Sequence, residues 1–326
     1  LPNSGDSGIA DIEKIVADES FADKGTKGSV STYDIAAEYA THVNAEADFQ
    51  KPVKIVADFA NAMGIYEAEP LKKIMEITPL FGTLDGSFPN HEANPLNTST
   101  LETLSKTLKD SDCDFGVAFD GDADRAGFAD EKGNIVPMDL ITALIAKSVL
   151  RDHKETILYD LRSSKTVKEV IKENGGRPVM CRVGHAFIKQ QMRKENAAFA
   201  GELSGHYYFR KNYFTESAAM AVIYLANIVS RENQPLSQLL KPFYRYAKSE
   251  EINSKVSDVK SVFAKLKQKY ASGSMQELDG LTVEFDDWWF NVRSSNTEPL
   301  VRLNLETKDS VTLASKTDEL LKVIRA

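Results

Sequence analysis

Apolar positions follow two alternating periods over about the first 240 residues. The run PVKIVADFA, from Pro52 to Ala60, predicts a strand, and Gly64 closes the turn after it. FGVAF, from Phe115 to Phe119, predicts a second strand. In DLITALIAKSVL the apolar residues Ile141, Leu144, Ile145 and Val149 recur at the spacing of a helix face. TILYD (Thr156 to Asp160) predicts another strand, SKTVKEVIKEN a helix stopped by Gly175 and Gly176, and AAFAGEL a further strand. This alternation predicts α/β architecture with much of each sheet parallel or mixed. After Pro242 the pattern changes. VKSVFAKLKQKY predicts a helix, WWFNVR and LVRLNLE two strands, and Leu313, Leu320, Leu321 and Ile324 mark the apolar face of a last helix. The expected fold class is α/β: two successive mixed-sheet α/β domains, 31–135 and 136–246, followed by a small α+β C-terminal domain, 247–326. Asp23 to Ser31 (DKGTKGSVS) is rich in Gly, Lys and Ser and predicts a linker. No internal repeat is visible in the sequence, although the two α/β blocks are similar in length.

Composition narrows the class. The 326 residues are 42% hydrophobic and 27% charged, an ordinary globular balance with room for more than one domain. No apolar run approaches 18 residues, so no membrane span is expected. The formal net charge is -8 and no basic stripe stands out, which argues against nucleic acid as a partner. The two cysteines, Cys113 and Cys181, have no metal-type spacing and predict buried thiols in a reducing compartment, hence a cytoplasmic protein.

Candidate chemistry starts with GVAFDGDADRAGFAD, from Gly116 to Asp130. Residues two apart in an extended strand are separated by about 6.6 Å, so Asp120, Asp122 and Asp124 reach one ion only if the chain curls. Gly121 is expected to permit that curl, and Ala123 leaves room at the next step. The segment fits a loop at the C-terminal end of a strand that wraps a hard divalent cation, with Arg125 balancing charge or meeting an anionic ligand. Open α/β sheets bind ligands at that end. A calcium loop of the EF-hand type shares the Asp120, Asp122, Asp124 spacing and has Glu131 in place, but Arg125 stands where that loop needs Gly and the flanks read as strands. A solvated acidic turn is the remaining alternative, at the cost of mutual repulsion among three carboxylates.

Three further segments carry polar constellations. AGELSGH, from Ala200 to His206, sets Glu202 and Ser204 in a glycine-bracketed loop that can hold sugar hydroxyls, with His206 just after; alone it also fits a solvated loop. NVRSSNTEPLVRLN, from Asn291 to Asn304, places Arg293 and Arg302 on the polar face of two strands, around Ser294, Ser295, Asn296 and Thr297. Two guanidiniums over a loop of small donors make an anion cradle, with phosphate as its natural guest, or else a polar turn with surface arginines. RVGHAFIKQQM puts Gly184 and His185 at a helix start with Lys189 one turn on, and Arg162 follows the strand ILYDL. His42, His91 and His153 join no constellation and are expected to be surface or packing residues.

Taken together, DGDADR, GELSGH and RSSNTEP resemble the metal, sugar and phosphate loops of the α-D-phosphohexomutase family, most nearly its bacterial phosphomannomutase/phosphoglucomutase group. VGHAFIKQQMRKENAAFAGELSGHYYF, EINSKV and FNVRSSNTEPLVRLNLE are similar to family segments as well, so the likeness runs along nearly the whole chain. It implies a four-domain enzyme in which a phosphoserine exchanges phosphate with a hexose through a hexose 1,6-bisphosphate, with Mg²⁺ on three aspartates and the phosphoserine. Here Asp120, Asp122 and Asp124 would be the metal ligands. Arg125, His185 and His206 stand as catalytic candidates. Arg162, Lys189, Glu202, Ser204, Arg293, Ser295, Asn296, Thr297 and Arg302 stand as substrate-binding candidates. The implied activity is reversible interconversion of mannose 6-phosphate and mannose 1-phosphate, a step toward GDP-mannose, with phosphoglucomutase or dual specificity as the alternative. Leu203 stands where the mannose/glucose group commonly has Met, and it is neither the Gln of glucosamine mutases nor the second Glu of many glucomutases. The family's Ser-His-Asn-Pro loop has no counterpart in these residues. LPNSGDSGIADIEKIV instead resembles the closing helix of a first domain, so 1–30 is expected to be that helix plus a linker, and this stretch of chain alone is expected to be inactive. A non-catalytic sugar-phosphate-binding protein and a phosphatase using Asp120 as nucleophile are the competing classes. A monomer or weak dimer is expected.

Overall fold

The computed structural model describes residues 8–22, 25–294 and 300–326. After α1 (Ile9–Ala17) and α2 (Ala36–Asn44), a first unit runs through β1 (Lys54–Asp58), α3 (Ile65–Lys72), β2 (Glu76–Leu80), α4 (Glu102–Lys109), β3 (Phe115–Phe119), β4 (Ala126–Asp130) and β5 (Ile135–Val136). A second unit follows through α5 (Met138–Val149), β6 (Thr156–Asp160), α6 (Lys165–Glu173), β7 (Arg177–Cys181), α7 (His185–Glu195), β8 (Phe199–Gly201), β9 (Tyr207–Phe209), β10 (Thr215–Glu216), α8 (Ala218–Glu232) and α9 (Leu236–Leu240). The last unit holds β11 (Ala247–Lys248), β12 (Ile252–Lys255), α10 (Val259–Lys269), β13 (Ser274–Gln276), β14 (Leu281–Glu284), β15 (Trp288–Ser294), β16 (Leu300–Thr307) and α11 (Ser310–Ile324).

The fold class matches expectation: two mixed α/β sheets, then an antiparallel sheet with helices. The structure adds a repeat that the sequence hides. The first sheet has strand order β2-β1-β3-β4-β5 and the second β7-β6-β8-β9-β10. In each, the first strand pairs in parallel with the second and third, and the fourth and fifth are added antiparallel. The central strands are buried on both faces, which is why FGVAF and TILYD read as unbroken apolar runs. Strands such as β2 and β7 escape sequence reading because their residues are mostly exposed or half-buried and each carries a proline, Pro79 and Pro178.

One apolar core runs through both α/β units, from Val43 and Phe115 to Tyr207, Met220 and Phe243. Polar contacts close the same seam: Asn227 Nδ2 donates to the Glu46 carbonyl at 2.8 Å, and the Asp48 amide donates to Asn227 Oδ1 at 2.7 Å. The last unit has its own core around Leu266, Phe290, Leu303 and Leu320. Its described contacts with the second unit include ions and amides: Lys248 Nζ lies 2.5 Å from Asp139 Oδ2, and the Lys165 amide donates to Glu306 Oε1 at 2.8 Å. Both cysteines are buried and free, as expected. No helix among the described residues is long and apolar enough to cross a membrane.

Gly201 ends β8 against α5, and a Cβ there would lie 2.1 Å from Thr142 Oγ1 and 2.7 Å from Thr142 Cβ. Gly201→Ala is therefore expected to lower unfolding free energy by about 1–3 kcal/mol, the usual cost of overpacking, as read from the urea midpoint. Adding Thr142→Ala recovers only part of the loss, because the contact with Cβ remains.

Candidate active site

The third strand of each α/β unit is buried and ends in a charged loop. After β3 comes Asp120-Gly121-Asp122-Ala123-Asp124-Arg125, and after β8 comes Glu202-Leu203-Ser204-Gly205-His206. The two candidate loops thus occupy the same topological position in the repeated fold. They are also bonded to each other: the Ala126 amide donates to the Gly205 carbonyl at 3.0 Å. Gly205 has φ +93°, and a Cβ there would sit 2.9 Å from Met138 Sδ and 3.1 Å from the Ala126 carbonyl oxygen, so glycine permits the close approach.

The acidic loop curls as its spacing requires, but the expected hinge is corrected. The left-handed residue is Ala123, at φ +64°, while Gly121 is not in that region. The curl brings one carboxylate oxygen each of Asp120, Asp122 and Asp124 within 4.8 Å of one another. Oxygens on opposite sides of an octahedral Mg²⁺ are about 4.2 Å apart, so small side-chain rotations would let all three contact one hard cation. Strands flank the loop on both sides, which removes the helix-flanked calcium loop. Asp120 is fully buried. Burial raises its pKa above the usual carboxylate range, against the opposing bonds and charge of Arg125, whose Nε donates to Oδ2 at 2.6 Å and whose amide donates to Oδ1 at 3.1 Å. A buried carboxylate of this kind, beside two others, suits an all-oxygen site for a hard divalent ion.

His206 ties the two loops together through its ring. Nε2 lies 3.3 Å from Asp124 Oδ2, and Nδ1 lies 3.2 Å from Glu202 Oε2 and 2.9 Å from Ser204 Oγ. Burial alone would lower the imidazole pKa, but the bonds and charges of Asp124 and Glu202 outweigh it and push it up to about 9. Burial works in the other direction on Asp124, where the His206 bond and the charges of His206 and Arg125 hold the carboxyl below its usual range. Glu202 is only 3% exposed and is no solvated loop residue: Tyr208 donates to its Oε2 at 3.1 Å, and Arg162 Nη2 lies 3.5 Å from its Oε1. Arg162 in turn forks onto Asp160, with Nε 3.1 Å from both carboxylate oxygens. Burial would raise the pKa of fully buried Asp160, yet the Arg162 charge and hydrogen bonds hold it below normal.

Arg162, Leu203 and Ser204 line an open cleft holding about 730 Å³ of solvent, together with Glu251 and Asn304 of the last unit. Behind that far wall, Arg293 and Arg302 are directly opposite across β15 and β16. Both meet Glu251: Arg293 Nη2 donates to Oε2 at 2.8 Å, and Arg302 Nη1 lies 3.4 Å from Oε1. Ser295, Asn296 and Thr297 lie outside the described residues. His185 and Lys189 meet each other rather than the His206 network: Lys189 Nζ is 3.4 Å from His185 Nδ1 and 2.6 Å from Glu216 Oε1.

Three participants escape the sequence reading. Asp160 and Glu251 balance the charge of arginines singled out above, and the Tyr208 hydroxyl satisfies an oxygen of Glu202. His91 is also more than packing, since its Nε2 lies 3.2 Å from both oxygens of fully buried Asp58. Asp58 and Asp160 close the first strand of their respective units, so recognising the repeat would have flagged both.

Sequence models of the phosphoglucomutase/phosphomannomutase family match in series: α/β/α domain II over 36–133, α/β/α domain III over 137–246 and the C-terminal domain over 251–323. A phosphohexose mutase of Xanthomonas campestris is 34% identical over 99% of this chain and 74% of its own length. The chain belongs to the phosphoglucomutase/phosphomannomutase family. A phosphomannomutase of Methanocaldococcus jannaschii is 42% identical over 83% of this chain, and one of Escherichia coli 30% identical over 99%. The matched region spans 61% of the Methanocaldococcus protein and 75% of the Escherichia protein. Among solved structures, a phosphoglucomutase/phosphomannomutase family protein of Burkholderia thailandensis superposes with TM-score 0.89 at 30% identity, over 98% of this chain and 71% of that one.

The bridging ring of His206 gives a direct test. In the metal-free protein, the proton NMR titration of His206 is expected to have its midpoint near 9, and Glu202→Gln to lower it. Because the folded pKa exceeds the unfolded value of about 6.5, the stabilisation is complete below that pH and is lost as pH rises through about 9. A midpoint at or below 6.5 would show that the ring is not held between the two carboxylates.

Proposed function

We propose that this chain carries the metal, sugar and distal-phosphate sites of a phosphomannomutase, which interconverts mannose 6-phosphate and mannose 1-phosphate, with glucose phosphates as second substrates. The observation that carries the reading is the junction of the two third-strand loops, where one histidine bridges Asp124 and Glu202 beside a cleft backed by two arginines. The named relatives support the sugar: proteins called phosphomannomutase match over most of this chain.

Asp120, Asp122 and Asp124 would hold Mg²⁺, which when bound supplies charge neutralisation for a transferring phosphoryl group. Arg125 restrains Asp120 and presents the rest of its guanidinium to the same phosphoryl group. Glu202 and Ser204 lie next to His206, placed to receive sugar hydroxyls. Arg293 and Arg302 would grip the phosphate that is not reacting, together with Ser295, Asn296 and Thr297. That distant grip orients the sugar, and phosphoryl transfer depends more on positioning and charge than on covalent work by these residues. Arg162 reaches the sugar loop from below, while His185 and Lys189 form a basic pair on the second unit.

Arg293→Ala is expected to weaken binding of mannose 1-phosphate by roughly 1.5–3 kcal/mol, the scale of a charge-assisted hydrogen bond, as read by calorimetry. Mg²⁺ titration should show one site that Asp120→Asn abolishes, and chelation of the ion should stop turnover. The activity itself is checked with a coupled assay on the product of the complete coding sequence, primed with a hexose 1,6-bisphosphate. Mannose 1-phosphate is expected to turn over at least as well as glucose 1-phosphate, and glucosamine 1-phosphate poorly. Binding of all three without turnover would instead identify a sugar-phosphate-binding protein.

A further inference from the structure

Glu251 is the carboxylate that both arginines of the far wall meet. The strand register sets Arg293 directly opposite Arg302, a like-charge pair that is unfavourable unless an anion lies against it. Asn253 pairs with Arg302 and Ile252 with Leu303, so the chain just before β12 delivers Glu251 beside Asn304. Oε2 takes a hydrogen bond from Arg293 Nη2 at 2.8 Å and from Asn304 Nδ2 at 3.2 Å, and Oε1 faces Arg302 Nη1 at 3.4 Å. The Glu251 side chain is 27% exposed and lines the cleft, while Arg293 is 12% exposed and Arg302 36%. Burial would raise the Glu251 pKa, but the Arg293 bond and charge, the Asn304 bond and the charge of Arg162 hold it below the usual range, so the group is an anion at neutral pH.

We propose that Glu251 is an internal competitor for the phosphate cradle: its carboxylate occupies guanidinium donors that an arriving phosphate needs, so phosphate binds by exchange rather than by simple addition. The inference rests on the reading of Arg293 and Arg302 as the cradle. Two guanidiniums and one carboxylate leave a net charge of +1, with the anion on the cleft side. A phosphate dianion brings more charge and more acceptor oxygens than a carboxylate and can take over the donors. When phosphate leaves, Glu251 takes them back, which relieves the Arg293–Arg302 repulsion and favours release. This device keeps the grip on the distant phosphate loose enough for the sugar to leave the cradle between steps.

Calorimetric titration of inorganic phosphate and of mannose 1-phosphate, into wild type, Glu251→Gln, Glu251→Asp and Arg293→Ala, tests the proposal. Glu251→Gln removes the competing charge at nearly constant shape, and is expected to tighten both ligands roughly three- to tenfold. Its melting temperature should fall in the absence of phosphate and rise more than that of wild type when phosphate is added. Glu251→Asp, with the carboxylate drawn back by one methylene, should tighten binding to an intermediate degree and serves if the Gln variant does not fold. Equal or weaker phosphate binding by the Gln variant, with Arg293→Ala impaired, would make Glu251 a splint for the guanidiniums and overturn the competitor role alone. Unchanged binding by Arg293→Ala would remove the cradle itself, and the competitor with it.

Discussion

The cleft is organised by one constraint: a carboxylate at the end of a buried strand needs a cation. Taking an ionised carboxylate out of water costs several kcal/mol unless a partner compensates it, and breaking a buried pair leaves that cost uncovered. Three strand-end acids of the cleft have such a partner: Asp120 has Arg125, Asp160 has Arg162, and Glu202 shares Arg162 and His206. Asp58 instead meets the His91 ring, and Asp130 accepts from the amides of Lys132 and Asn134. The pairs are not independent, because Arg162 serves two acids and His206 serves one in each unit. The His206 contacts to Asp124 and Glu202 therefore join the same two loops as the backbone bond between Ala126 and Gly205.

The repeat explains why this arrangement occurs at one edge. In both α/β units the third strand ends centrally and the fourth returns antiparallel, so the connecting loop rises from the middle of the sheet. The shared core fixes the two sheets relative to each other. Two acidic loops on equivalent strands then meet at the seam, one contributing three carboxylates and the other a carboxylate, a hydroxyl and an imidazole. Among the described residues, the three-aspartate cluster belongs to the first unit and Glu202, Ser204 and His206 to the second.

Much of this was legible in the residues, and the parts that were not have physical reasons. Strands buried on both faces announce themselves as apolar runs, so FGVAF and TILYD could be bounded to the residue. Short and half-exposed strands such as β2, β10 and β11 carry no such signal. The acidic triplet could be read because its spacing demands a curl, but the residue that makes the turn could not: Ala123 takes the left-handed conformation where glycine would be the natural expectation. That Arg293 and Arg302 both fall on the polar face followed from strand alternation, while their direct pairing is set by the register of β15 and β16. Their contact with Glu251 did not, because it depends on the register of a third strand, β12, whose sequence INSK is too short and polar to announce itself. The repeat was invisible because sheet topology is set by which strands pair, while the two units share few residues in common.

The last unit differs from the first two in how it is attached, and this bears on how the site can work. Its core is separate, and its described seam with the second unit is built from groups such as Lys248 with Asp139 and Glu306 with the Lys165 amide. A shared apolar core resists sliding, because any displacement exposes packed surface or opens voids. The polar groups of this seam are themselves buried, Asp139 2% and Glu306 1% exposed, so separating them would leave a buried charge without its partner. The two charged loops therefore stand on one shared core, while the arginine pair rides on a unit with a core of its own. Glu306, only 1% exposed and with its pKa raised chiefly by burial, is held at this seam by the hydrogen bond it accepts from the Lys165 amide. Rotation between the units would break its bond from the Lys165 amide, while the bond from Trp289 Nε1, a cross-strand partner within the last unit, would travel with it. The cleft is thus walled on one side by the shared core of the two α/β units and on the other by a separately packed unit, joined through a few directional contacts.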